Sequence, residues 1–247
     1  MKLVFPEYHN EIIQKAVEET RDIEAIEAEN LEDACIKIKN GEADALIAGS
    51  DFPTRDVVLA CRDHLGMKGQ NFSSCFLLKS PEKRTFIRAD AGVTKNPTKD
   101  QLKDIIKQTY ESAKKLLEEE PKIALLSFST HGSAKDESID KINEALAEIK
   151  AQNPEIIIDG ELQLDAAINP EIAIKKCPNS PLKGEANVLI TPDLNSGNIL
   201  YKAFEQLGGY TVAGPLLQGF NFPASDLSRG STKEDVLLVI DCIKKLI

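Results

Sequence analysis

Short runs of apolar residues alternate along the chain with longer stretches in which apolar positions recur every three or four residues. The first pattern fits buried strands and the second fits helices with one buried stripe. Their repeated alternation is the signature of βαβ units feeding a parallel sheet. Strands are predicted near 2–5, 23–27, 44–48, 73–79, 84–88, 122–128, 155–158, 187–191 and 210–213. Helices are predicted near 9–20, 30–39, 54–64, 98–118, 136–150, 170–176, 197–207 and 233–246. The clearest is 98–118: Thr98 stands where a cap belongs, and Leu102, Ile105, Ile106, Ala113 and Leu116 fall on one face, with Thr109 the one polar residue on that stripe.

No internal repeat or low-complexity segment is visible, and Gly and Pro fall mostly at the ends of elements. Gly66 to Asn71 and Gly214 to Gly230 are the stretches where the chain could cross between domains. A length of 247 residues exceeds the usual size of one hydrophobic core, which favours two small α/β domains over one large one. With 42% apolar and 28% charged residues a packed core is expected.

A formal charge of −10 argues against general binding to nucleic acid or to an anionic membrane, so an anionic ligand must find a local positive site. The cysteines Cys35, Cys61, Cys75, Cys177 and Cys242 are odd in number and form no Cys-x-x-Cys pair, a pattern that reads as reduced thiols in the cytoplasm. His9, His64 and His131 have no metal-ligand spacing, so no protein-bound metal is expected. No segment is apolar for about 18 residues, and the expectation is a soluble, unexported protein.

Four segments carry candidate chemistry. LLSFSTHGSA (125–134) breaks from a strand into Ser129, Thr130, His131, Gly132 and Ser133 ahead of a helix, an arrangement that presents backbone N–H groups to an anion. Ser129 or Ser133 acting only as a helix cap fits the same residues. DGELQLDAAI (159–168) places Asp159, Glu161 and Asp165 at a strand exit, where solvation and turn formation explain them as well as acid–base work does, and Gln163 is the residue suited to orienting a ligand. TPDLNSGNILYK (191–202) is a second strand-to-helix loop, with Asn195 or Ser196 as cap or ligand contact and Lys202 further along the helix.

The fourth segment, GPLLQGFNFPASDLSRGSTKED (214–235), gathers Asp226, Ser228, Arg229, Gly230 and Asp235 near a helix start. Ser-Arg-Gly offers a hydroxyl, a forked cation and room for close approach. Thr232 with Asp235, or Ser231 with Glu234, also matches a capping arrangement that alone accounts for both acids. No Gly-x-Gly-x-x-Gly fingerprint, P-loop or Gly-x-Ser-x-Gly elbow occurs.

Several ordered motifs resemble the phosphate acetyltransferase and phosphate butyryltransferase family: PKIALLSFSTHGSA (121–134), IIIDGELQLDAAI (156–168), SPLKGEANVLITPDLNSGNILYK (180–202) and GPLLQGFNFPASDLSRGSTKED (214–235). Their wording is closer to the acetyl type, and KLVFPE (2–7), GEADALIAGS (41–50) and ADAGVTKNPT (89–98) match more loosely. The resemblance implies an α/β chain of two α/β/α domains with the isocitrate-dehydrogenase-like fold and an interdomain cleft. The first domain would be 1–69 completed by 218–247, and the second 70–217. It implies a homodimer that reacts acyl phosphate with coenzyme A as substrate, giving acyl-coenzyme A and phosphate, with no bound cofactor. Asp235 then resembles the base that takes the thiol proton, Ser228 and Arg229 the groups that hold the reacting centre, and Ser129, Thr130, His131, Gly132 and Ser133, with Gln163, the phosphate side. Asn195, Lys202, Arg55 and Arg62 are further cleft candidates. The two groups, mid-chain and C-terminal, are expected to share one anion pocket.

Departures from the family pattern are specific. His131 stands where the family loop often has lysine, which makes that position's charge depend on pH. The arginine expected after GEADALIAGS falls on Leu59, leaving Arg55 or Arg62 to substitute. Family members are commonly longer, and the shortening lies between Thr20 and Gly41. The leading expectation is an active acyltransferase with a trimmed first domain. The alternative is a catalytically impaired or altered-substrate relative that binds phosphate or acyl phosphate. A metal- and NAD(P)-dependent decarboxylating dehydrogenase is disfavoured because its metal-binding aspartates are not recognisable.

Overall fold

In the computed structural model, which describes residues 1–247, the chain forms a mixed α/β fold of ten strands. It opens on β1 (Lys2–Phe5), α1 (Glu11–Glu19), β2 (Glu24–Glu27), α2 (Leu31–Lys39) and β3 (Ala45–Ala48). Next come α3 (Thr54–Ala60), which runs on into a π-helical turn at Cys61–Leu65, then β4 (Ser73–Lys79), β5 (Thr85–Ala89) and α4 (Lys99–Leu116). β6 (Lys122–Leu126), α5 (Glu137–Gln152), β7 (Ile157–Leu162), α6 (Leu164–Ile168), α7 (Pro170–Lys176), β8 (Val188–Ile190) and α8 (Leu194–Gln206) follow. The chain ends with β9 (Thr211–Gln218), β10 (Ala224–Asp226) and α9 (Lys233–Leu246).

Two compact units divide it: Met1–Leu77 with Thr211–Ile247, and Leu78–Tyr210. In the first, strands run in the order β2-β1-β3-β10-β9-β4. β1, β2, β3 and β10 are parallel, with Leu3 opposite Ala45 and Ala224 opposite Leu46, while β9 runs antiparallel to β10. β1 and β3 are buried on both faces beyond Lys2, which is why they read as unbroken apolar runs. β2 is only half-buried at the edge, with Glu24 and Glu27 outward. The returning α9 buries Val236, Leu238, Val239, Ile240, Cys242 and Ile243, and its Lys233 and Lys244 reach Glu19 at 2.7 Å and Asp22 at 2.5 Å. Residues 21–40 hold one complete βα step, β2 and α2.

In the second unit the order is β5-β8-β6-β7, all parallel. Their carboxyl ends therefore lie along one edge, and that edge carries the loops at 90–98, 127–136, 163 and 191–193. β7 gains one residue against β6 after the Ala124–Asp159 pair, so that Leu126 faces Leu162. Gly160 sits at this irregularity, where a β-carbon would stand 2.7 Å from Leu125 Cβ.

β7 and β10 correct the sequence reading. Residues 157–162 form strand throughout, so Asp159 and Glu161 lie inside it rather than at its exit. β10, Ala-Ser-Asp, was not predicted because it has no apolar run, although it is fully buried. The helix near 197–207 starts three residues earlier, at Leu194, because Asp193 caps it by accepting from Ser196 N–H at 2.9 Å.

α4 bears out the predicted stripe. Thr98 Oγ1 accepts from Gln101 N–H, Gln101 Oε1 accepts from Thr98 N–H, and Leu102, Ile105, Ile106, Thr109, Tyr110, Ala113 and Leu116 are buried. Lys99 bonds Glu148 on α5 at 2.7 Å, Lys103 pairs with the same glutamate, and Lys107 reaches Gln152. Replacing Thr98 with Ala removes the cap while leaving the stripe. It is expected to cost about 1 kcal/mol, read as a lower urea midpoint with an unchanged slope.

Candidate active site

In the second unit, the turn after β6 is organised around one carboxylate. Glu161 Oε1 accepts from Ser129 Oγ at 2.9 Å and from Gly132 N–H at 2.7 Å, and Glu161 is 2% exposed. His131 and Gly132 have φ of 45° and 82°, the left-handed turn that brings Gly132 N–H onto the acid. The other backbone donors of the turn are also used. Thr130 N–H reaches Ser133 Oγ, His131 N–H reaches Glu161 O, Ser133 N–H reaches Thr130 O, and Ala134 N–H reaches Ser129 Oγ. α5 begins only at Glu137, capped by Asp136, with Glu137 and Asp140 in its first turn. Neither Ser129 nor Ser133 caps that helix.

Burial pushes the Glu161 carboxyl up, but hydrogen bonds from Gly132, Ser129 and Asn143 outweigh it and hold the group below its ordinary range. Around this centre, Gln163 N–H donates to Thr130 Oγ1 at 3.0 Å, and Gln163 Oε1 accepts from Lys176 at 2.9 Å. His131 Nε2 lies 3.1 Å from Asp159 Oδ2, and Lys150 reaches the other oxygen of the same buried aspartate at 3.4 Å. Ser129, Thr130, His131, Gly132, Ser133 and Gln163 are thus one connected cluster.

Asn195 and Lys202 are exposed on α8, with Lys202 Nζ 4.8 Å over the Tyr201 ring. Beneath α8 lies Arg88, fully buried on β5. Its Nη2 donates to Thr191 Oγ1 at 2.8 Å, while Nε and Nη1 have no partner. Burial lowers its pKa to about 10, against the opposing charges of Asp90 and Tyr201. A β-carbon on Gly197 would stand 2.4 Å from Asp90 O and 2.7 Å from Arg88 Nη2, so α8 can lie this close only with glycine there.

In the first unit, Glu7 at the exit of β1 plays the part that Glu161 plays in the second. Its Oε2 accepts from Gly49 and Ser50 N–H at 2.7 and 3.2 Å, and its Oε1 from Asp51 and Phe52 N–H at 2.6 and 2.8 Å. This fixes the loop that delivers α3. Leu227 N–H reaches Ala48 O at 2.5 Å and anchors the turn after β10. In that turn Ser228 N–H donates to Ser231 Oγ, Ser228 Oγ accepts from Gly230 N–H, and Ser228 and Arg229 are exposed. Asp235 is the acid of a capping box with Thr232: its Oδ2 accepts from Thr232 N–H and Thr232 Oγ1, both at 2.8 Å. Arg55 is exposed on the first turn of α3, and Arg62 is held by Asp63 at 2.7 Å.

The model of the phosphate acetyl/butaryl transferase family matches residues 2–242. The chain belongs to that family. It is 42% identical over 216 residues to a phosphate acetyltransferase of Clostridium acetobutylicum, a match covering 84% of this chain and 64% of that one. The chain therefore spans less than two thirds of that relative's length. Among solved structures it is similar to a phosphotransacetylase from Streptococcus pyogenes, with a TM-score of 0.89, 31% identity, and coverage of 100% of this chain and 94% of that one. The EutD phosphotransacetylase from Staphylococcus aureus gives a TM-score of 0.86 and 29% identity, covering 99% and 93%.

Within this acetyl/butaryl transferase chain, reasoning from sequence passed over Glu7 and Arg88. An acid just past an apolar strand run is the signal for the first, and a lone cation inside the run TFIRA is the signal for the second. No group of three His, Cys, Asp or Glu side chains is placed to hold a metal ion. No helix is long and apolar enough to cross a membrane.

Glu161→Gln keeps the shape but turns two charge-assisted bonds into neutral ones, with an expected cost of about 1–2 kcal/mol at neutral pH. Because the native carboxyl titrates below its unfolded value, that contribution is present above about pH 4.3 and is lost as pH falls through the native value. Urea midpoints of the two proteins should therefore converge in acid.

Proposed function

We propose that this chain transfers a short acyl group, acetyl in the first instance, between acyl phosphate and coenzyme A. The observation that carries the reading is the family match across residues 2–242, which includes the segment from Ser228 to Asp235. The reading brings with it the isocitrate-dehydrogenase-like arrangement of two domains, the first completed by the returning C-terminal segment. The substrates would meet in an interdomain cleft of a homodimeric enzyme.

In this mechanism the coenzyme A thiol, with a pKa of about 8.5, loses its proton to Asp235. Asp235 uses Oδ2 for the cap, which leaves Oδ1 for the thiol. The Ser228 hydroxyl orients the sulfur. The thiolate then bonds to the acyl carbon, the bond from that carbon to the phosphate oxygen breaks, and phosphate leaves with the electron pair. Arg229 offsets the negative charge that grows on the carbonyl or phosphoryl oxygens. The backbone donors of residues 129–134 are already bound, so the phosphoryl group is met by the side chains of Thr130, His131, Ser133 and Gln163. Arg55, Arg62, Asn195 and Lys202 are candidates for the rest of the substrate contacts.

A second reading, a relative that binds phosphate or acyl phosphate without turnover, draws support from the pairing of Arg62 with Asp63 and from Leu59 at the position expected to be arginine. Thiol consumption with acetyl phosphate and coenzyme A separates the two. Turnover in the wild type is expected, with kcat lowered about 10²–10⁴-fold by Asp235→Asn and about 10²–10³-fold by Arg229→Ala, and a smaller loss for Ser228→Ala. Absence of turnover with every short-chain acyl phosphate, together with calorimetric binding of phosphate but not of coenzyme A, selects the second reading.

A further inference from the structure

Asp226 ends β10 two residues before Ser228, and it is 1% exposed. One carboxyl oxygen, Oδ1, has no hydrogen-bond partner. That oxygen lies against Gly49: a β-carbon there would stand 2.1 Å from it, and Gly49 has a φ of 102°. The hydroxyl of Thr54, first residue of α3, bonds the same carboxyl. One side chain thus touches both the loop that starts α3 and the strand that delivers the Ser228–Arg229 turn.

The groups facing it make a carboxylate costly. Glu7 brings like charge from the exit of β1, and it takes all four N–H groups of Gly49 to Phe52, leaving none for Asp226. From the π-helical turn, Cys61 faces it as a thiol pushed up by its bond to Cys35, by burial, and by the charges of Cys35 and Asp226. No lysine or arginine pairs with Asp226. Burial above all, with the Glu7 charge adding to it against the pull of Thr54, pushes its carboxyl up to about 7.

We propose that Asp226 is a positioning residue: through Thr54 it links the end of β10 to the start of α3, neutral it seats the Ser228–Arg229 turn, and ionised it leaves an unpaired buried charge at Oδ1 against Gly49 that strains that seat. The proposal rests on the reading of Ser228 and Arg229 as parts of the acyl-transfer machinery. It adds to that reading a proton taken up away from the reacting atoms.

The sign follows from linkage. The native carboxyl keeps a proton that the unfolded chain releases near its ordinary value of about 3.9, so stability falls as pH rises from there to the native value and is level above it. Asp226→Asn, which mimics the neutral form, lacks this fall. Its folding equilibrium constant should gain at least about tenfold on that of the wild type between about pH 5 and pH 8. A gain that does not change with pH overturns the proposal.

The tie itself is read by NMR on the full chain, with ¹³C-labelled aspartate and ¹⁵N amides. The Asp226 carboxyl should titrate near neutrality, and the amides of Thr54, Ser228 and Arg229 should follow it. An Asp226 that titrates in the ordinary carboxylate range, or amides that stay still while it titrates, defeats the idea. Should Asp226→Asn fail to fold, Thr54→Val takes its place. Loss of the hydroxyl that favours the ionised form should move the titration to higher pH, and no movement counts against the tie. If the wild type turns over, its kcat should fall as pH rises through neutrality, and the variant should not show that fall. If it does not turn over at any pH, the acyl-transfer reading is lost, while the stability and NMR results still decide the role of the carboxyl.

Discussion

Backbone N–H groups in a strand-exit turn must find partners, and in both units the chain supplies them from its own carboxylates. Glu7 accepts four N–H groups of the loop before α3, and Glu161 accepts a backbone N–H and a hydroxyl of the turn after β6. Asp90 does the same for its own loop, accepting from Gly92, Val93 and Thr94. Bonds to a charged acceptor are each worth about 1.5–3 kcal/mol, enough to fix these turns before any ligand arrives. Donors already given to an internal anion are not open to an external one. In the proposed reaction a phosphoryl group would therefore be met by side chains, by hydroxyls, His131 and exposed arginines, in a protein whose net charge of −10 offers no general attraction.

Asp226 marks the contrast. It lies at the same kind of strand end, with the same chemistry, but the loop beside it has spent its donors on Glu7. Two carboxyl groups at one turn cannot both be solvated by the same N–H groups, and the less well supplied one takes the protonation cost. The arrangement gives both oxygens of Glu7 backbone donors and leaves Oδ1 of Asp226 with none. Burial alone does not separate them, since Glu7 and Asp226 are both 1% exposed. Hydrogen-bond supply does.

The parallel-sheet framework was legible because central strands buried on both faces read as apolar runs, as in Ala45–Ala48 and the four residues that follow Lys122. α4 was legible to the residue at its cap because a capping box and a stripe at helical spacing are both local signals. β10 was not, because its polar residues are made acceptable by partners far away in sequence: Ser225 Oγ donates to Pro215 O, and Asp226 is bonded by Thr54. Likewise, Asp159 and Glu161 looked like exit residues until the turn 28 to 32 residues earlier was brought against them. The candidate residues of the hydroxyl-glycine turn could be named from sequence. That a glutamate inside the next strand holds the turn together could not, since nothing local distinguishes that acid from Asp165, which instead pairs with Lys176 on the surface at 2.7 Å.

Asp235 shows why a capping role and the proposed chemical one need not compete. The sequence offered two ways to cap α9, and the structure uses Thr232 with Asp235 rather than Ser231 with Glu234; Ser231 Oγ instead accepts from Ser228 N–H. Capping fixes the carboxylate through Oδ2 alone and holds its plane by two bonds from one residue. In the proposed acyl transfer a base that must meet a thiol in one orientation gains from that restraint, because rotamer freedom is surrendered on folding rather than at each encounter. The helix start therefore does two things with one residue: it ends the turn after Ser228, and it presents a carboxylate oxygen at a fixed height beside that turn.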